Sequence, residues 1–111
     1  MTYPDFFDAF PALDLPFPED VVSTRVIRSD DGLVAFFTFH KAMDLPAHAH
    51  KAQWGTVLAG EIEFTIGDDT RTYHVGDSYN IPSGVLHSAR IPAGTKVIDV
   101  FEESDRYPLK R

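Results

Sequence analysis

LPAHAHKAQWGTVLAG (Leu45–Gly60) and GDSYNIPSGVLH (Gly76–His87) are the two stretches that decide how the chain folds. In an extended strand alternate side chains share a face, so His48 and His50 point one way and Ala47 and Ala49 the other. Two imidazoles side by side on one sheet face can chelate. Gln53 follows His50 at an interval that leaves room for a tight turn, after which the next strand can present its amide beside the rings. A third imidazole, His87, lies beyond a Pro and a Gly. Three histidines and one oxygen donor suit a divalent transition metal. Neutral imidazole binds zinc, iron, nickel, copper or manganese with only modest discrimination.

These residues also carry a family resemblance. Gly76, Pro82, Gly84 and His87 match the second cupin motif, G-x5-P-x-G-x2-H, at each of its positions. The first stretch resembles the first cupin motif, H-x-H followed by Glu and, after six more residues, Gly. Gln53 stands where that Glu is expected, at an interval from His50 one residue shorter than usual. Ile91 replaces the Asn that often closes the second motif. The chain thus resembles a small single-domain cupin of the type-2, RmlC-like kind. The resemblance covers roughly residues 21–101. It implies an all-β fold, a double-stranded β-helix or jelly-roll barrel. It further implies one divalent transition metal (Zn, Ni, Fe or Mn) held by His48, His50, Gln53 and His87. A homodimer is expected.

At 111 residues the chain makes one domain with a modest core. Apolar content of 43% fits a globular protein and excludes disorder. No apolar run is long enough to cross a bilayer and no basic, then hydrophobic leader opens the chain, so a soluble, cytoplasmic protein with no membrane partner is expected. With no Cys, a metal must be held by nitrogen and oxygen donors. A net charge of -7 without clustered Lys and Arg disfavours nucleic acid as a partner.

Prolines at 4, 11, 16 and 18 limit any helix before residue 20 to the piece Asp5–Phe10, with Phe6, Phe7 and Phe10 on one side. Residues 1–20 therefore read as an arm that buries aromatic rings against the domain, residues 21–111, or a partner chain. From Val21 onward β-branched and aromatic runs alternate with turn residues: 21–27, 33–39, 53–59, 61–66, 70–75, 78–81, 87–91 and 95–101. Within 61–66, Glu61, Glu63 and Thr65 alternate with Ile62, Phe64 and Ile66, so these carboxylates belong to solvent. Trp54 should face away from the metal, and Arg90 away from His87. His40 and His74 lack chelating neighbours and stay outside the ligand set.

A dication held by four neutral ligands keeps its full charge, whereas a Glu ligand would halve it. The site should then favour a small anionic organic molecule and polarise a bound carbonyl. Val97, Asp99 and Phe101 share one face of the last strand. Asp99 either faces the cavity as a catalytic acid or base, or turns to solvent beside Lys96; alternation leaves both open. Tyr79 and Phe101 are candidates to line the barrel against a substrate. Asp99, Val100 and Phe101, with Glu102 and Arg106, also resemble the C-terminal segment of small cupins that ketonise unsaturated uronates released from pectin and alginate. That resemblance implies proton transfer by Asp99 and substrate binding by Arg106. The expected function is isomerase or lyase chemistry on a small anionic carbohydrate or keto acid. A metal-dependent dioxygenase and a non-catalytic binding protein are the alternatives.

Overall fold

The structure is a computed structural model that describes residues 1–111. Nine strands follow a short N-terminal segment: β1 (Val22–Arg28), β2 (Leu33–Phe39), β3 (Met43–His48), β4 (Gln53–Ala59), β5 (Glu61–Ile66), β6 (Asp69–His74), β7 (Ser78–Ile81), β8 (His87–Ile91) and β9 (Lys96–Phe101). They form two antiparallel sheets, β1-β2-β9-β4-β7 and β3-β8-β5-β6. Each long run expected from alternation is a strand, and the ends differ by a residue or two. The fold is an all-β jelly roll. No helix is long and apolar enough to cross a membrane.

The registers stack the inward side chains in layers. Leu33, Phe101, Gln53 and Ile81 are cross-strand neighbours at one end of the five-stranded sheet, where His48 pairs with His87 in the other sheet. One layer deeper come Ala35, Asp99, Gly55 and Tyr79, and across from them Leu45, Ala89 and Phe64. Beyond these lie Phe37, Val97 and Val57. The inward polar residues Gln53, His87 and Asp99 thus lie toward one end of the barrel, and the buried Thr24 and Thr95 lie away from it.

The N-terminal segment differs from the expected helix. Asp5–Ala9 makes one 3-10 turn, too short to develop a buried stripe. Phe7 packs its ring 5.0 Å from Phe36 and 5.2 Å from Tyr3, while Phe6 is 65% exposed. Beyond the turn the arm runs extended. Leu13 bridges Leu109 near the C-terminus and is buried, and its N–H donates to Thr24 Oγ1 at 2.8 Å. Because β6 leads directly into β7, the edges β1 and β3 face the opposite side of the barrel. Arm and tail close that side, with Leu15, Phe17 and Tyr107 forming part of the interior wall.

Candidate metal centre

His48 and His50 share a face, but an unbroken strand does not put them there. Met43 and Leu45 are turned inward, Pro46 and Ala47 are both exposed, and His48 and His50 are turned inward again. The register of β3 on β8 shifts between Leu45 and His48. This bulge reverses the alternation and aims both imidazoles at the barrel end, a use of bulges common beside functional sites. Pro46 costs no ladder bond because β3 is an edge strand. Gly84, at φ +79, donates its N–H to the carbonyl of His50 at 2.8 Å. That bond ties the two histidine-bearing stretches together through a conformation glycine adopts freely.

His48, His50 and His87 bring one ligand nitrogen each within 4.8 Å of one another. Each Nδ1 is engaged with a backbone carbonyl: His48 with Pro46 at 2.8 Å, His50 with Lys51 at 2.7 Å and His87 with Val85 at 2.9 Å. Carbonyls only accept, so each Nδ1 carries the proton and each Nε2 is left with a free lone pair. The Nε2 atoms of His50 and His87 are buried without any partner. Burial is the main force lowering His87 to about 4, with His48, His50 and Arg106 adding to it against the hydrogen bond to Val85. His50 is lowered for the same leading reason. Pre-oriented imidazoles, two of them with unpartnered buried nitrogens, are what a divalent cation requires. The three histidines are positioned to bind one.

Gln53, at the start of β4, is buried in the wall that also holds His48, His50 and Asp99. Its side chain stands beside Asp99 and acts to lower that carboxyl's pKa. The short turn Lys51–Ala52 is held from outside. Lys51 N–H donates to Glu103 Oε1 at 2.7 Å, Ala52 N–H to Glu102 Oε2 at 3.2 Å, and Glu102 N–H to the Ala52 carbonyl at 2.9 Å. Glu103 Oε1 also lies 3.7 Å from His50 Nδ1. Glu102 stood out in the sequence only through the C-terminal resemblance and Glu103 not at all, because these contacts join residues about fifty positions apart. Glu103→Ala should weaken metal binding about tenfold, within the range seen when an outer partner of a ligand is lost. Competition with a chromophoric chelator measures this.

Asp99 faces inward, 6% exposed. Tyr79 Oη donates to its Oδ1 at 2.5 Å. Burial pushes Asp99 up to about 6, opposed by the hydrogen bonds from Tyr79 and Gln53. The pair passes directly over Gly55, where an added Cβ would collide with Asp99 Oδ1 and the Tyr79 ring. Gly55→Ala should therefore displace the pair and destabilise the fold by about 1–3 kcal/mol, measured by urea unfolding.

The remaining expected contacts divide. Phe101 lines the cavity, its ring 5.8 Å from His50. Arg106 stands near enough to His50 and His87 for its charge to lower both. Its guanidinium lies 4.2 Å from the Tyr107 ring centroid, and its Nε is buried without a partner. Tyr79, expected against a substrate, does not enter the cavity wall. Phe64 and Tyr73 cover it at 4.5 and 5.5 Å between ring centroids, and its hydroxyl serves Asp99. Trp54 and Arg90 face outward. His40 pairs with Ser23 and His74 lies beside Asp77, both away from the three imidazoles. Leu15, Phe17 and Tyr107 are wall residues missed in the sequence. For Leu15 and Phe17 the signal was the alternation of Leu13, Leu15 and Phe17 between prolines, which is a strand's period.

Fold and site together define a jelly-roll protein with three histidines positioned to bind a metal at one end of its barrel. Residues 35–101 match the cupin domain, and the chain belongs to the cupin family. No curated protein sequence matches it. Among solved structures, it is similar to an RmlC-like cupin from Shewanella frigidimarina NCIMB 400, with 21% identity, TM-score 0.77, and 96% of this chain and 95% of that one covered. KdgF from Halomonas sp. aligns at 22% identity and TM-score 0.68, over 88% and 87%. Bacillus subtilis oxalate decarboxylase, a protein with Mn(II) centres, aligns at 22% identity and TM-score 0.66, over 76% of this chain but only 26% of that one. At these identities the likeness is one of fold.

Proposed function

We propose that the protein is a metal-dependent enzyme of isomerase or lyase type acting on a small anionic carbohydrate or keto acid. The observation that carries this is Asp99: a buried carboxylate, bonded by Tyr79 with Gln53 beside it, in the same cavity wall as His48 and His50. A divalent ion on His48, His50 and His87, with the Gln53 carbonyl as a further donor, would act as a Lewis acid toward a carbonyl of the bound acid. Arg106 offers its charge to the carboxylate of that acid. Asp99 takes a proton from the carbon beside the carbonyl and returns it to a different carbon. The net change is an isomerisation that needs no other reactant. The C-terminal likeness to uronate-ketonising cupins and the fold shared with KdgF support the same reading.

Exchange of that carbon-bound proton with D2O, followed by NMR on keto acids and sugar acids, tests the proposal. Metal-dependent exchange that disappears in Asp99→Asn supports it. Binding of the acid without exchange would favour a non-catalytic binding protein. Three neutral imidazoles also fit an oxygen-activating iron, and oxygen uptake with the Fe(II)-loaded protein would favour the dioxygenase reading instead. We also place the expected homodimer contact on the outer face of the five-stranded sheet. There Ile27, Val34, Val100 and Trp54 form one cross-strand row, with Ile27, Trp54 and Val100 exposed. A monomer in sedimentation at micromolar concentration would remove that assignment.

A further inference from the structure

Behind the histidines the interior changes character. The polar wall residues His48, His50, Gln53 and Asp99 all lie in the two layers at the metal end. Past Asp99 the wall is formed by Phe37, Phe39, Val97, Ile62 and Ile91, none of which offers a side-chain hydrogen-bonding group. The Tyr107 hydroxyl is the one further polar group in the lining. The cavity is also small, about 50 Å³. At about 10–15 Å³ for each water-sized group on this measure, the whole cavity, metal end included, accepts about three to five heavy atoms.

A hexuronate carries a hydroxyl on nearly every ring carbon. Asp99, already bonded by Tyr79, and Gln53 can serve one or two. The others would lie against phenyl and aliphatic walls, stripped of water and unpaired, and each unpaired hydroxyl weakens binding by about tenfold. A short alkyl tail meets the reverse situation, because it leaves water for a wall that matches it. Only the carboxylate and carbonyl of such a ligand need polar partners, and the metal end with Arg106 supplies them.

We infer that the ligand of this site is a small oxo acid with a short apolar tail, its carboxylate and carbonyl at the histidines and its tail in the Phe37, Phe39, Ile62 and Val97 end of the barrel. This rests on the proposed function and narrows it, selecting the keto acid over the carbohydrate. Calorimetry on the full chain, loaded with Zn(II) and separately with Ni(II), compares 4-methyl-2-oxopentanoate with D-galacturonate. Both are six-carbon monoanions, so neither charge nor carbon count separates them.

The expected result is metal-dependent binding of the oxo acid at least about tenfold tighter than galacturonate. Ile62→Ala should shift the preference toward a longer tail, so that 2-oxooctanoate gains relative to 4-methyl-2-oxopentanoate. The thermal midpoint of that variant is recorded alongside, and the wild-type comparison stands without it. Equal or tighter metal-dependent binding of galacturonate would overturn the apolar-tail inference and leave the metal-dependent enzyme reading in place. Failure of both acids to bind the loaded protein would overturn that reading and this inference with it.

Discussion

Replacing His48 and His50 together by Ala is expected to leave a folded protein that no longer holds metal. Both residues lie at and just beyond the end of an edge strand, and their Nδ1 atoms bond only to carbonyls of Pro46 and Lys51, within two residues of themselves. The core of sixteen buried apolar residues contains neither. Removing the rings therefore costs contacts among the imidazoles and with Phe101, and no strand pairing. His87 alone cannot chelate. Loss of an outer-sphere partner already weakens a metal site about 10–100-fold, so loss of two ligands should exceed about a hundredfold. Chelator competition measures the affinity, and circular dichroism checks the fold. Stoichiometric metal in the double variant would sink the ligand assignment.

Asp99→Asn should carry the largest catalytic effect, a loss of about a hundred- to ten-thousandfold in proton exchange with metal content unchanged. Asn occupies the same volume and can accept from Tyr79 through its carbonyl, so the layer above Gly55 stays packed. What changes is the ability to take and return a proton. The substitution also removes a carboxylate whose charged form burial disfavours, so unfolding free energy should hold or rise. A variant that retained exchange within threefold of the parent would move proton transfer to another group.

Period-two alternation made most of this fold legible. Glu61–Ile66 reads as a half-buried strand because its carboxylates and apolar residues alternate without interruption, and that is how it folds. The same rule placed Phe101 inward and Trp54 outward. It left Asp99 undecided because Val97, Ile98 and Val100 are apolar on both faces of β9; the exposed Val100 shows that one of those faces is a surface. Alternation also gave the right answer for His48 and His50 by an incomplete route. The bulge between Leu45 and His48 is invisible in LPAHAH, yet without it Ala47 and Ala49 would point inward. The arm was the least legible part. Closely spaced aromatic residues suggested a helix, but the contacts that order it come from Phe36, Thr24 and Leu109, distant in sequence. Tyr79 was misplaced for a related reason. Alternation says which face a side chain takes, but not whether Phe64 and Tyr73 cover it there.

The central claim is that His48, His50 and His87 together hold one divalent ion, and elemental analysis combined with X-ray absorption on the reconstituted wild-type protein tests it most directly. The account predicts one ion per chain, surrounded only by nitrogen and oxygen, with an imidazole signal from about three rings at roughly 2.1 Å. Less than a tenth of an ion per chain after reconstitution, or an ion without imidazole in its shell, would contradict it.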